Sequence, residues 1–163
     1  MNLESQVVSL KLSEKLKKLG LKQVSQFYWY RQFEDDREPY LLHYIDCYHA
    51  EVDRKIFVSE LVGATSAFTA SELGEIIPNS VVIPDYEPFG SYRLFITKFK
   101  FVDEMGTITN NYRLNYECDT TEAGGEYAWL RRQLTSNIYD PNLANAMAMM
   151  LVYLLENGLI VND

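Results

Sequence analysis

Between Ser9 and Leu19 the apolar residues return at helical spacing. Leu12, Leu16 and Leu19 lie four and three apart and form one stripe. Lys11, Lys15, Lys17 and Lys18 fill the other face and the last turn, where cations suit the negative end of the helix dipole. Gly20 supplies a left-handed stop. The period then changes. Gln26 to Phe33 holds Phe27, Tyr28, Trp29, Tyr30 and Phe33, which is strand composition. Glu34-Asp35-Asp36-Arg37-Glu38-Pro39 interrupts it with a solvated charge run, and Tyr40 to Tyr48 follows as a second strand. The two are expected to form a hairpin. Residues 51–66 fit both periods: Val52 and Ile56 suit a helix, while Ile56-Phe57-Val58 suits a strand.

Thr69-Ala70-Ser71-Glu72 is a capping box, in which the Thr69 hydroxyl accepts from the Glu72 amide and the Glu72 carboxylate reaches back. Leu73, Ile76 and Ile77 give that helix its apolar face, and Pro78 ends it. Tyr92 to Val102 and Thr107 to Cys118 form the clearest hairpin. In the second of these strands Ile108, Tyr112, Leu114, Tyr116 and Cys118 share one face, with Asn110 the polar exception; Thr107, Thr109, Asn111, Arg113, Asn115 and Glu117 share the other. A Glu104-Met105-Gly106 loop with Gly106 left-handed pairs Val102 with Ile108, Ile96 with Leu114, Leu94 with Tyr116 and Arg93 with Glu117. That register leaves Phe95, Phe99 and Phe101 on the polar face, where a helix or a partner must cover them.

Asp140-Pro141 is expected to open the last helix, with Asp140 as N-cap, and Gly158 to close it; a short helix over about Glu126 to Leu134 precedes it. From Leu143 to Leu155 only Asn145 is strongly polar, so this helix is apolar nearly all round. A surface helix would carry a polar face. The segment must therefore be buried on both sides, within the domain or partly against another chain. The whole of residues 1–163 reads as a single α+β domain, an antiparallel sheet with packed helices.

Composition narrows the function classes. The 163 residues are 47% apolar and 23% charged, ordinary globular usage that needs no disulfide or metal to fold. Two cysteines, Cys47 and Cys118, are too few for a disulfide framework, and no signal peptide or bilayer-length apolar run is present. A reduced cytoplasmic setting is therefore the default expectation. The net charge is −8, and residues 1–24 carry five lysines against Glu4 and Glu14, so the acidity lies in the remainder. Such a surface repels phosphate backbones, and no nucleic-acid partner is expected.

Both histidines fall in one stretch, His43, Asp46, Cys47, His49, Glu51 and Asp53. On a strand His43, Cys47 and His49 share a face, but positions 43 and 49 lie about 20 Å apart at about 3.3 Å per residue. Cys47 and His49 alone supply two ligands where a structural zinc wants four. A cysteine nucleophile beside a histidine base lacks an evident oxyanion donor. Ala123-Gly124-Gly125-Glu126 has neither the spacing nor the lysine of a phosphate loop, and the 34–38 run lacks the glycine of a calcium loop. Thr69 to Gly74 starts like a winged-helix reader, but the residues after it, Pro78 to Pro84, are extended and uncharged. No catalytic, cofactor-binding or metal residue is assigned.

Three segments carry a resemblance: Leu3 to Val7 leading into Leu10 to Gly20, Ala67 to Glu75, and Met150 to Leu159. In this order they resemble short uncharacterised proteins of bacteriophages, prophages and mobile elements of Bacteroidetes-type bacteria. The resemblance implies a phage or bacterial setting and no site. The nearly all-apolar last helix and the tyrosine-rich strands motivate the function expected, a non-catalytic interaction or accessory protein that binds a protein partner or its own copy. The alternatives are a small enzyme using the His43–Asp53 stretch, or an acidic mimic of nucleic acid. If the histidine stretch is structural, metal analysis of the untagged protein gives less than stoichiometric zinc; stoichiometric zinc lost in a Cys47→Ala, His49→Ala variant would show a metal centre.

Overall fold

The computed structural model describes residues 3–31, 40–44, 62–82, 91–102, 104–118 and 137–160. Within them the α+β reading holds: three α-helices pack with two antiparallel sheets. After a 3-10 turn at Leu3–Gln6 come α1 (Leu10–Lys18), β1 (Phe27–Arg31), β2 (Leu41–Tyr44), β3 (Val62–Ser66) and α2 (Ala70–Ile76). Then follow β4 (Ser80–Val82), β5 (Ser91–Val102), β6 (Ile108–Cys118), β7 (Ile138–Asp140) and α3 (Leu143–Glu156). One sheet has the order β2-β1-β3 and the other β4-β5-β6-β7.

Each element follows from local chemistry. The α1 stripe points inward, with Leu16 fully buried and Leu12 and Leu19 half-buried. The aromatic strand pairs as expected, Phe27 opposite Tyr44 and Tyr30 opposite Leu41. Of the ambiguous stretch, Val62–Ser66 is strand; 51–61 lies outside the described residues, as do the charge run and the helix expected at Glu126 to Leu134. The capping box at Thr69 and Glu72 is formed in both directions. Glu72 also accepts from Gln26 N (2.9 Å) and Ser25 Oγ (3.1 Å), so the carboxylate that starts α2 also fixes the entry to β1.

The β5–β6 register is the one expected, with Val102 opposite Ile108, Ile96 opposite Leu114 and Arg93 opposite Glu117. Gly106 sits at φ +79°, a conformation open to glycine at no steric cost. The expected start of the last helix is corrected. Asp140 is the last residue of β7, and its carboxylate accepts from Asn142 N (2.7 Å) across a turn. The helix begins two residues later, with Asn142 as N-cap accepting from Ala144 N (2.9 Å). Pairing of β7 with Tyr112 to Leu114 holds Asp140 extended and postpones the helix.

Helix α3 is the centre of the main core. Ala144, Ala146, Met147, Ala148, Met150, Leu151, Val152 and Leu154 are buried, and Met149 and Tyr153 are half-buried. Around it lie Leu16 of α1, Leu73 of α2, and the buried face of the second sheet, Val81, Tyr92, Leu114 and Tyr116. A smaller cluster of Val7, Trp29 and Ala67 lies under the first sheet.

Between the two clusters runs the extended segment Val7–Ser9, in which Val7 and Val8 are fully buried. Its backbone groups find partners from several distant elements. Val7 O accepts from Asn142 Nδ2 (2.8 Å), Val8 N donates to Phe68 O (2.8 Å), Val8 O accepts from Trp29 Nε1 (2.8 Å), and Ser9 N donates to Asn145 Oδ1 (2.8 Å). Asn145, the one strongly polar residue of the apolar helix, is thus an acceptor for a main-chain amide. Lys17 Nζ reaches Ala64 O (2.8 Å), and Lys15 pairs with Glu156 (2.8 Å) at the exposed end of the helix pair.

Two stability outcomes follow. Leu151→Ala removes a fully buried side chain and is expected to cost about 2–5 kcal/mol in denaturant unfolding; a loss below about 1 kcal/mol would contradict the burial. Asn145→Leu leaves the Ser9 amide without its acceptor and is expected to cost about 1–3 kcal/mol, although it makes the helix more apolar; equal or higher stability would contradict the bond's role.

Candidate interaction surface

The β5–β6 hairpin is longer than anything that supports it. β5 has twelve residues, yet β4 pairs only with Ser91, Tyr92 and Arg93, and β7 only with Tyr112, Arg113 and Leu114. Among the described residues, the hairpin past Lys98 and Tyr112 is a two-stranded arm. Its base is anchored well. Tyr116 is fully buried and its hydroxyl donates to Pro78 O at the end of α2. Burial raises the tyrosine's pKa far above its ordinary value, so it stays a protonated donor.

Most of the hairpin's large apolar side chains past its base are half or more exposed. On the face that belongs to the core at the base, exposure rises toward the tip: Leu114 is fully buried, Ile96 is 46% exposed, Val102 58% and Ile108 63%. Helix α3 rises about 1.5 Å per residue, so its fourteen residues span about 21 Å, whereas β5 at about 3.3 Å per residue spans about 40 Å. On the opposite face Phe95 and Phe101 are about half exposed. Phe99 packs edge-on against Tyr139 (centroids 5.9 Å, planes at 80°). Of the two covers expected for the three phenylalanines, a helix or a partner, no such helix is found among the described residues. Met105 at the tip is 90% exposed. A patch of this kind marks a contact surface more often than an ordinary exterior.

Polar groups are set around this patch. Lys98 Nζ lies over the Tyr112 ring (5.6 Å to its centroid), and Lys100 is exposed one step further out on the same face. On the other face Thr97, Phe99, Arg113 and Tyr139 line an open depression of about 230 Å3. Beside it Asn115, in the polar row of β6, is out of solvent. It is 1% exposed, donates to Glu117 Oε1 (2.6 Å) and Asn137 Oδ1 (3.0 Å), and its own Oδ1 has no partner.

Of the histidine stretch, only His43 is described. It is a half-buried residue of β2 whose ring meets Tyr30 edge-on (5.7 Å, 84°). Asp46, Cys47, His49, Glu51 and Asp53 lie outside the described residues, as does the 123–126 segment. Among the described residues no three His, Cys, Asp or Glu side chains are grouped to hold a metal, and no helix is long and apolar enough to cross a membrane. No protein family, curated protein or solved structure matches the chain.

The alternation of β6 alone could not reveal the exposed arm, because Ile108 reads as core by pattern. The available signal was length: a strand of twelve residues outruns a helix of fourteen. A triple replacement of Phe101, Met105 and Ile108 by serine removes side chains that are half to nine-tenths exposed. It is expected to cost about 1 kcal/mol or less per site in denaturant unfolding. A loss like that of Leu151→Ala would show these side chains to be packed.

Proposed function

We propose that the chain is a cytoplasmic, non-catalytic interaction protein, an accessory factor of a phage or mobile element, and that the β5–β6 arm is its contact element. The observation that carries the reading is the exposure of Val102 and Ile108 on one face of the arm and Phe101 on the other, continued at its base by Ile96 and Phe95. A domain with a well-filled core around α3 has no folding reason to keep large apolar side chains on a projecting ribbon. Three segments resembling mobile-element proteins support the setting. The low cysteine count supports the compartment.

Affinity capture from a bacterial lysate, analysed by mass spectrometry, tests the role of the arm. The parent chain is expected to retain a specific protein, and the Phe101→Ser, Met105→Ser, Ile108→Ser variant to lose at least about tenfold of it. This corresponds to the loss of one or two anchoring side chains at an interface. Equal capture by both forms would place the contact elsewhere.

A further inference from the structure

Backbone polarity and side-chain charge together specify what the arm can bind. Leu94 N donates to Asn79 O (2.9 Å), so at Leu94 the main-chain groups of β5 point toward β4 and away from β6. The β5–β6 ladder runs without a shift from Tyr92–Cys118 to Val102–Ile108. In a regular antiparallel strand this direction alternates. The N–H and C=O groups of Ile96, Lys98, Lys100 and Val102 therefore point out of the sheet, beyond the end of β4. Among the described residues no strand pairs with 95–102 on this side, which leaves an open edge about 26 Å long at about 3.3 Å per residue. Such an edge is a template for one more strand.

The side chains decide which strand. Ile96, Lys98, Lys100 and Val102 lie on one face of the edge, and Phe95, Thr97, Phe99 and Phe101 on the other. A second copy is a poor fit. The antiparallel two-fold pairing that uses all four open residues centres on Phe99 and sets Lys98 against Lys100 twice. Like charges directly opposite destabilise a ladder. An incoming strand with acidic residues opposite Lys98 and Lys100 gains two favourable pairs instead. Its alternate side chains lie beside Phe95, Phe99 and Phe101 and must be apolar.

We infer that the free edge of β5 accepts, by strand addition, an extended segment of a partner protein in which acidic and apolar residues alternate. The lysines at 98 and 100 select for this segment and against the chain itself. This rests on the proposed role of the arm and adds to it the chemistry of the partner.

The probe is a dye-labelled peptide, Val-Val-Glu-Val-Glu-Val-Val, whose sequence reads the same in both directions and so suits either strand orientation. Fluorescence anisotropy with the full chain is expected to show binding that weakens with salt. Binding is expected to fall by about tenfold or more when both glutamates are lysine, or when the protein carries Lys98→Glu and Lys100→Glu; the lysine peptide is expected to prefer that variant. Methylating alternate peptide amides, which removes ladder donors and leaves the side chains in place, is expected to weaken binding to a similar extent. Far-ultraviolet circular dichroism of the double variant checks that it is folded.

Equal binding of the glutamate and lysine peptides would overturn the charge selection, and indifference to amide methylation would overturn strand addition. No binding of the glutamate peptide at about 1 mM would overturn the proposal outright. So would sedimentation showing a dimer of the parent chain that the peptide cannot displace. The two readings fail separately. Capture that depends on Phe101, Met105 and Ile108 but not on Lys98 and Lys100 refutes the strand edge alone. Peptide binding without arm-dependent capture refutes the proposed function alone.

Discussion

The fold depends on one constraint, that a buried stretch of main chain must find a partner for its polar groups. Val7 and Val8 are fully buried, and an unmatched amide or carbonyl there costs on the order of 1–3 kcal/mol. Partners for Val7, Val8 and the half-buried Ser9 come from β1 (Trp29), from the start of α3 and the turn before it (Asn145 and Asn142), and from the residue before the α2 cap (Phe68). Satisfying three residues therefore brings both sheets and the last helix together. The apolar faces of α1, α2 and α3 then close around this segment, and burial supplies the larger part of the stabilisation.

Much of this was legible in the sequence because it is local. The capping box, the α1 stripe, the hairpin register set by Gly106 and the burial of α3 all follow from spacings of two to four residues. The readings that failed were those in which distant residues compete. Asp140-Pro141 is a sound helix start by itself, but β6 recruits Asp140 into a strand and Asn142 takes over as cap. Asn145 reads as an isolated polar residue in an apolar helix until Ser9 is brought beside it, 136 residues away in sequence. Alternation places Asn115 in a polar row without saying what lies over it; it is buried and bonded to Glu117 and Asn137.

The arm was half legible. The sequence shows three phenylalanines on a polar face and so demands a cover. It does not show that Ile96, Val102 and Ile108 are also exposed, because period-two patterning assigns a side chain to a face without saying how far along that face the core extends. Supporting strands of three residues on either side of a hairpin of eleven and twelve set that extent.

The bonds from Val7 and Ser9 to Asn142 and Asn145 span 135 and 136 residues. At about 5–20 residues per second, a ribosome needs on the order of ten seconds to make what lies between. During that interval the Val7 carbonyl and the Ser9 amide lack the partners they have in the fold. The segment that joins the two clusters is therefore the first part of the fold to be made and the last to be satisfied.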